Sequence, residues 1–167
     1  MTDLNTKKSL AIPGKKLGVD FGKARIGISL CDAEGLLATP LVTIQNTGDI
    51  EYDTEISRLQ EIISEYDIVL IYSGYPLSLS GGKTPSTVAA LDFAKRLQAA
   101  VGIPVRLVDE RLTTVSATAR MHSAGKNTRR QRSVIDQASA VILLQDALDY
   151  EKRFGVSAGR SVLEENV

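Results

Sequence analysis

The stretch KKLGVDFGKARIG, Lys15 to Gly27, places one acid, Asp20, inside a segment that otherwise has the pattern of a β-strand. Apolar and polar residues alternate from Lys16 to Phe21, which is the two-residue period of a strand with one buried face. If this strand is central in a sheet, both of its faces are covered, and an unpaired buried charge is strongly destabilising. The sequence therefore predicts either that Asp20 is exposed or that a positive charge lies beside it.

The segments that follow predict a mixed α/β fold. A turn leads to a second strand at Ile26–Leu30, and Leu36–Ile44 is a third strand, which Pro40 confines to an edge or a bend. Three strands joined by short turns are typical of an antiparallel meander. The rest of the chain alternates helices and strands, which favours parallel crossovers. These elements are expected at helix Glu51–Tyr66, strand Asp67–Tyr72, helix Ser86–Val101, strand Val105–Val108, a helix from Thr113 or Thr114 to Ser123, and helix Ser133–Phe154.

The predicted domain organisation is a single α/β domain over residues 15–154. The 167-residue chain is long enough for one domain with a core and too short for two large ones. Residues 1–14 are predicted to be a flexible leader and residues 155–167 a flexible tail. No apolar run approaches the ~20 residues of a membrane span, and no signal peptide is recognisable. We therefore expect a cytoplasmic protein without a membrane partner.

The counts of cysteine and histidine limit the metal chemistry. Cys31 is the only cysteine, so no disulfide can form within the chain, which agrees with a reducing compartment. His122 is the only histidine, and the two counts together exclude a zinc site built from several Cys or His ligands. A metal bound here would be held by carboxylates, which favour magnesium or manganese.

Three carboxylates fall where the predicted topology can bring them together. Asp20 lies near the end of the first strand, and Glu110 directly follows the last strand in VRLVDERLTT. If these strands are parallel, both acids lie at the carboxyl edge of the sheet, where open α/β sheets bind ligands. Asp136 lies early in the final helix, whose apolar middle indicates burial against the sheet. Such acids repel one another without cations, but with two Mg²⁺ or Mn²⁺ ions they would hydrolyse phosphodiester bonds through a metal-bound water.

Each acid also has a structural alternative. Asp136 fits the last position of a capping box, so its side chain could close the helix start. Glu110 could pair with Arg111 or Arg106 at a loop. Asp20 is the acid for which a structural role is hardest to find. Gly18 and Gly22, on either side of Asp20, are predicted to leave room for a phosphate backbone.

The charge distribution, rather than the net charge of zero, suggests a nucleic-acid partner. Residues 106–132 contain seven basic and two acidic residues, whereas residues 49–67 contain seven acidic residues and one basic residue. A basic region on a neutral protein is a candidate phosphate-binding face, although a solvated helix and loop would look the same. Aromatic residues make up only 5% of the chain, which argues against a base-stacking platform. The candidate phosphate-binding residues are Lys23, Arg25, Arg111, Lys126, Arg129, Arg130 and Arg132.

Four segments in this order, LGVDFGKARIGISL, GYPLSLSG, VDERLTT and IDQASAVILLQDAL, resemble the YqgF/RuvX family over about residues 16–150. The resemblance implies an RNase H-like fold, here a mixed five-stranded sheet with helices on both faces. It also implies a nuclease for the 5′ end of the small-subunit (16S) rRNA precursor in ribosome biogenesis, or a Holliday-junction resolvase. Matching the motifs assigns Asp20, Glu110 and Asp136 as the catalytic, metal-binding acids. Asp109 would be an accessory whose side chain is expected to point away.

The chain departs from the family pattern in one loop. Where the family has a segment close to GLPLNMDG, this chain has Ser78 and Ser80 in place of Asn and Asp, followed by Lys83 at an acidic position. The loop is expected to overhang the site, so these changes affect substrate preference more than chemistry. Two other functions stay open, a non-catalytic nucleic-acid-binding factor and a fragment of a sugar-kinase or actin-like ATPase. The resolvase alternative predicts a homodimer, since such an enzyme cuts two strands symmetrically.

Overall fold

The computed structural model describes residues 10–110 and 129–165, and within the last range it describes side chains from residue 137 onward. Among these residues, no helix is long and apolar enough to cross a membrane. The strands are β1 (Lys15–Phe21), β2 (Arg25–Cys31), β3 (Ala38–Gln45), β4 (Ile68–Tyr75), β5 (Val105–Asp109) and β6 (Arg160–Ser161). The helices are α1 (Thr54–Tyr66), α2 (Pro85–Val101) and α3 (Arg129–Phe154), followed by a short 3₁₀ helix at Val162–Glu164.

The described strands form one six-stranded sheet in the order β3-β2-β1-β4-β5-β6. Strands β1, β2 and β3 are an antiparallel meander, whereas β4 is parallel to both β1 and β5. This topology confirms the predicted meander and crossovers, and it places Pro40 in an edge strand, as expected. The sheet has six strands rather than the predicted five, because the short β6 pairs antiparallel with β5.

The expectation of a flexible tail after residue 154 is wrong for residues 155–165. Strand β6 extends the sheet, and Val162 directly after it is fully buried. Arg106, part of the predicted basic region, donates hydrogen bonds of 2.6 and 2.7 Å to the carbonyl oxygens of Ala158 and Gly159. Its guanidinium therefore holds this segment against the sheet.

The fold also begins before residue 15. Leu10 forms a β-bridge with Val156, and the Ala11 N–H donates a 3.2 Å hydrogen bond to the carbonyl oxygen of Gly155. These contacts join the end of the predicted leader to the start of the predicted tail. Residues 1–9 of the leader lie outside the described residues.

The described residues form two apolar cores on opposite faces of the sheet. On one face, α1 and α2 pack over Leu17 and Val19 of β1; on the other, Leu143 and Leu144 of α3 pack over Tyr72 of β4. Because side chains alternate along a strand, the even-numbered positions of β1 face α3. Asp20 therefore belongs to the α3 face of the sheet.

Gly18 allows α3 to approach β1 closely. A Cβ atom at this position would lie 2.7 Å from the carbonyl oxygen of Ala140 and 2.9 Å from the Cβ of Leu144. The hydroxyl of Ser29 on β2 donates a 2.7 Å hydrogen bond to the same carbonyl. Since the helix encloses Gly18, the prediction that this glycine leaves room for a phosphate backbone is wrong.

A buried polar network holds the opposite end of β1 against α3. The ammonium of Lys16 donates a 2.7 Å hydrogen bond to Oε2 of Glu151, and the hydroxyl of Tyr72 donates one of 2.7 Å to Oε1. The Ala158 N–H donates to the Tyr72 oxygen at 3.1 Å. Burial, reinforced by the Glu151 carboxylate, raises the pKa of Tyr72 above its ordinary value. The buried Lys16 and Glu151 charges are therefore paired with each other. If one partner is removed, the other charge stays buried without compensation for its lost hydration, which is strongly destabilising.

Replacing Lys16 by Met is expected to lower the free energy of unfolding by about 3–5 kcal/mol, because Glu151 would stay buried without a cation. Urea denaturation measures the change. The control is Arg58→Met, which breaks the ion pair of Arg58 and Glu61 on α1, whose side chains are 48% and 69% exposed. That loss should be below about 1 kcal/mol. Equal losses in the two variants would contradict a special role for the buried pair.

Candidate active site

Asp20 and Glu110 meet at the carboxyl edge of the parallel strands. Asp20 lies near the end of β1, and Glu110 directly follows β5. Strand β4 runs between these two strands, with Ser73 opposite Val19 on β1 and Gly74 opposite Val108 on β5. The two carboxyl groups nevertheless share a hydrogen bond across β4. The structure thus brings together two of the three acids that the sequence singled out.

Gly74 on β4 provides the space through which Glu110 reaches Asp20. A Cβ atom at residue 74 would overlap Oε1 and Cδ of Glu110 and would lie 2.9 Å from its Cγ. Gly74 does not have a positive φ, so the glycine is required here for space rather than for backbone conformation. Sequence reasoning did not single out this residue, because the predicted strand ended at Tyr72, whereas β4 runs to Tyr75. A glycine inside a strand is a known sign of close approach by another group.

The electrostatics of the pair depend on burial. Only 9% of Glu110 is exposed. Burial is the largest cause that raises the pKa of Glu110 far above its ordinary value, and the Asp20 charge, the hydrogen bond to Asp20 and the Asp109 charge raise it further. Without a cation, the pair therefore favours a state in which the two carboxyl groups share one proton. A cation beside the pair would favour the ionised form of both acids.

The pair fits a hard divalent cation. Carboxylate oxygens are the ligands that Mg²⁺ and Mn²⁺ prefer, and a cation would relieve the repulsion that now requires a shared proton. Among the described side chains, no group of three or more His, Cys, Asp or Glu residues forms a complete metal site. The third predicted ligand, Asp136, belongs to the part of α3 whose side chains are not described.

The backbone of α3 carries residue 136 to the same edge of the sheet. Gln137, its neighbour in the helix, donates a 2.9 Å hydrogen bond from Nε2 to the hydroxyl of Thr43 on β3. Thr43 lies opposite Gly27 on β2, and Gly27 lies opposite Asp20. Helix α3 therefore crosses the sheet at the cross-strand row that contains Asp20.

The position of the helix start corrects two expectations. Arg129 already lies within α3, so Asp136 is inside the helix, and the capping-box alternative for it is wrong. Arg129, Arg130 and Arg132, which precede the predicted helix Ser133–Phe154, belong to the first turns of α3. Arg and Gln favour helix strongly, but the run RRQR lacks the apolar period that marks a helix in a sequence. Arg111, Lys126 and the predicted helix ending near Ser123 lie outside the described residues.

A cavity of about 660 Å³ opens beside Glu110. Its lining combines the β1–β2 turn, the segment that precedes α1, the residue after β4 and the exposed side of α2. The lining residues are Phe21, Gly22, Lys23, Asn46, Gly48, Ile50, Pro76, Pro85, Ser86, Ala89, Asp92, Arg96 and Glu110. Lys23, a predicted phosphate-binding residue, thus shares a cavity with Glu110, whereas Arg25 lies outside the lining.

The loop that departs from the family pattern contacts the cavity only through Pro76. The Ser78 and Ser80 hydroxyls are hydrogen-bonded to each other at 3.0 Å, and Lys83 forms a β-bridge with Leu77. Those three departures belong to a turn that lies beyond the cavity lining.

The sequence model of a known family, described as "RuvX: Holliday junction resolvase", matches residues 14–150. The chain belongs to the RuvX family. Two relatives carry the name "Putative pre-16S rRNA nuclease". The protein from Leifsonia xyli subsp. xyli is 47% identical over 149 residues, which cover 89% of this chain and 94% of the relative. The protein from Streptomyces avermitilis is 41% identical over 150 residues, with 89% and 94% covered.

The fold of this RuvX chain is also found in RuvC. The structure of T. thermophilus RuvC in complex with a Holliday junction substrate superposes with a TM-score of 0.57 and 12% identity, covering 86% of this chain and 98% of RuvC. At that identity the likeness shows the fold alone, which is RNase H-like as predicted. RuvX membership places the chain among nucleases, the hydrolases of phosphodiester bonds. It favours this class over the ATPase fragment and the non-catalytic factor.

Proposed function

We propose that this RuvX protein is a metal-dependent nuclease that processes the 5′ end of the 16S rRNA precursor in the cytoplasm. The observation that carries the proposal is the contact between Asp20 and Glu110 across Gly74. Two carboxyl groups held together in a largely buried place, at the edge of the sheet where ligands bind, need a cation before both can ionise. The names of the relatives support an rRNA precursor as the substrate.

In this proposal, Asp20, Glu110 and Asp136 hold two Mg²⁺ or Mn²⁺ ions. When bound, such ions activate a water and stabilise the leaving oxygen of the phosphodiester. Glu110 is the buried ligand of this pair. Its carboxyl group occupies the space beside Gly74 and is held there by its contact with Asp20. Asp20 keeps part of its surface exposed, and Glu110 is the acid of this pair that lines the cavity.

The basic residues would position the substrate. Lys23 is exposed and shares the cavity with Glu110, so its ammonium can neutralise a phosphate beside the acids. Basic side chains that contact phosphates fix the register of a polynucleotide without reading its sequence. We assign this second role to Arg25, Arg111, Lys126, Arg129, Arg130 and Arg132.

A second candidate function is the resolution of Holliday junctions. It is favoured by the description of the family model, and it would require two copies of the chain as a homodimer. The two functions share the same acids and differ in the polynucleotide that reaches them.

The test incubates the pure protein and the variant Asp20→Asn with Mn²⁺ on a precursor-rRNA fragment and on a four-way DNA junction. We expect the wild type, but not the variant, to cut the RNA at the mature 5′ end. Symmetric nicks in the junction, with intact RNA, would instead support the resolvase. Salt-sensitive binding without cleavage of either substrate would contradict a nuclease altogether.

Mn²⁺ is expected to raise the unfolding temperature of the wild type, since a ligand at a hundred times its Kd stabilises the native state by about 2.7 kcal/mol. Asp20→Asn should lose most of this shift because one ligand is neutralised. In EDTA, the same variant should unfold at or above the wild-type temperature, because it no longer places a charge beside Glu110. Differential scanning calorimetry measures both effects. An equal Mn²⁺ shift in the variant would show that the ion binds elsewhere.

A further inference from the structure

The cavity beside Glu110 is larger than the proposed chemistry requires. Its volume of about 660 Å³ lies within the range of about 300–1,000 Å³ that is typical of sites for small organic molecules. Metal ions and one phosphate group would occupy only its Glu110 end. Because Glu110 is part of the lining, a group that fills the remaining volume shares the cavity with this acid.

The wall nearest to β1 contains the aromatic ring of Phe21, which is packed against a second ring on α2. Phe21 lines the cavity and is stacked on Phe93 of α2, with ring centroids 4.6 Å apart and an interplanar angle of 26°. The guanidinium carbon of Arg96 lies 5.6 Å from the Phe93 centroid. A fixed aromatic ring is a surface on which any nucleobase can stack. The low aromatic content argued against a platform of several rings, but a single ring at the site suffices for one base.

The other walls complete an environment suited to a base. Ile50, Pro76 and Ala89 contribute apolar surface. Further along α2, Asp92 and Arg96 offer a hydrogen-bond acceptor and donors. Their side chains are joined by a 3.1 Å ion pair, and Arg96 also donates a 2.7 Å hydrogen bond to Asp53. Apolar walls with a few fixed polar groups are what pockets for an extruded base require.

We propose that this cavity holds one unpaired nucleotide of single-stranded RNA, next to the phosphate that is cut. The base stacks on Phe21 between Pro76 and Ala89, and its phosphate lies toward Lys23 and Glu110. A base that is paired and stacked in a duplex cannot enter such a cavity without being extruded. The inference rests on the proposed nuclease function and adds that the RNA must be single-stranded at the cut.

The test uses variants that fill the cavity with a side chain from α2. It measures RNA binding under conditions in which no cleavage occurs. Ala89→Phe and Ser86→Phe each place a ring in the cavity from an exposed helix position. The control is Val88→Phe, at a position that is 44% exposed and outside the lining. Fluorescence anisotropy in EDTA compares a labelled single-stranded 12-nucleotide RNA with the same strand in a duplex. Thermal unfolding verifies that each variant is folded.

Both cavity-filling variants are expected to bind the single strand about tenfold more weakly, the equivalent of one lost base stack. Their affinity for the duplex should stay within about twofold of wild type, as should both affinities of Val88→Phe. Unchanged binding of the single strand, or an equal loss for the duplex, would overturn the proposal. The Mn²⁺ shift in unfolding temperature should persist in Ala89→Phe, and its loss would show that the ring acts on the acids instead. The binding assay contains no metal and therefore does not depend on cleavage. If the wild-type protein fails to cut RNA, the nuclease function is contradicted, but the proposed nucleotide site is not.

Discussion

Asp20→Asn is expected to lower the rate of RNA cleavage by at least about a thousandfold, which corresponds to about 4 kcal/mol of transition-state stabilisation. The amide keeps the size of the carboxylate but removes the charge that a divalent cation requires. Because the amide removes a charge from the buried pair without changing its size, the fold and the affinity for RNA should be unchanged. Single-turnover cleavage with Mn²⁺ measures the rate, and anisotropy in EDTA measures the binding.

The matched control for this prediction is Glu61→Gln. It neutralises an exposed acid on α1 that pairs only with Arg58 at the surface among the described residues. Its cleavage rate should stay within about twofold of wild type. An Asp20→Asn enzyme that still cuts at the wild-type rate would show that the acid pair is not the reacting centre.

Gly74→Ala is expected to lower kcat/KM by about a hundredfold, the effect of a displacement of about 1 Å in a reacting group. The methyl group would occupy the place of the Glu110 carboxyl and force that side chain away from Asp20. The backbone at Gly74 is accessible to alanine, so the chain should still fold. Titration calorimetry with Mn²⁺ should show a weaker Kd together with the slower cleavage. A purely structural role would not change the metal affinity.

Gly82→Ala is the control for the glycine substitution. This residue lies in the loop between β4 and α2, and a Cβ atom there would meet the Ser78 hydroxyl at 3.2 Å without approaching either acid. Metal affinity and cleavage should stay close to wild type. Normal Mn²⁺ affinity in Gly74→Ala would contradict the positioning role of Gly74.

The elements with strong periodicity were predictable from the sequence. Alternation in β1 and the apolar run of β4 place the strands correctly, and the edge position of β3 follows from Pro40. Strand β6 was not predictable, because it contains only Arg160 and Ser161. Its pairing depends on a partner strand more than 50 residues earlier in the chain, at Arg106 and Leu107.

The candidate site was predictable only in part, for a similar reason. Asp20 and Glu110 could be placed at one edge because both follow from the order of parallel strands. The role of Gly74 depends on how far a side chain reaches across the intervening strand, which no spacing in the sequence records. Lys16 could not be placed correctly either. A lysine near the end of a strand is expected to be exposed, but Lys16 is buried against Glu151. Such residues are determined by tertiary contacts rather than by local pattern.

The way α3 covers β1 has a consequence for the protein during its own synthesis. The contacts that join helix and sheet, Ser29 with Ala140 and Lys16 with Glu151, connect residues 111 and 135 positions apart. A domain folds as a unit while translation adds about 5–20 residues per second. Strands β1 to β5 therefore leave the ribosome without their covering helix, and a nascent chain carries Asp20 and Glu110 before residue 136 has been synthesised. Under the proposed function, the ribosome that makes this nuclease is not exposed to its activity until the last helix has docked.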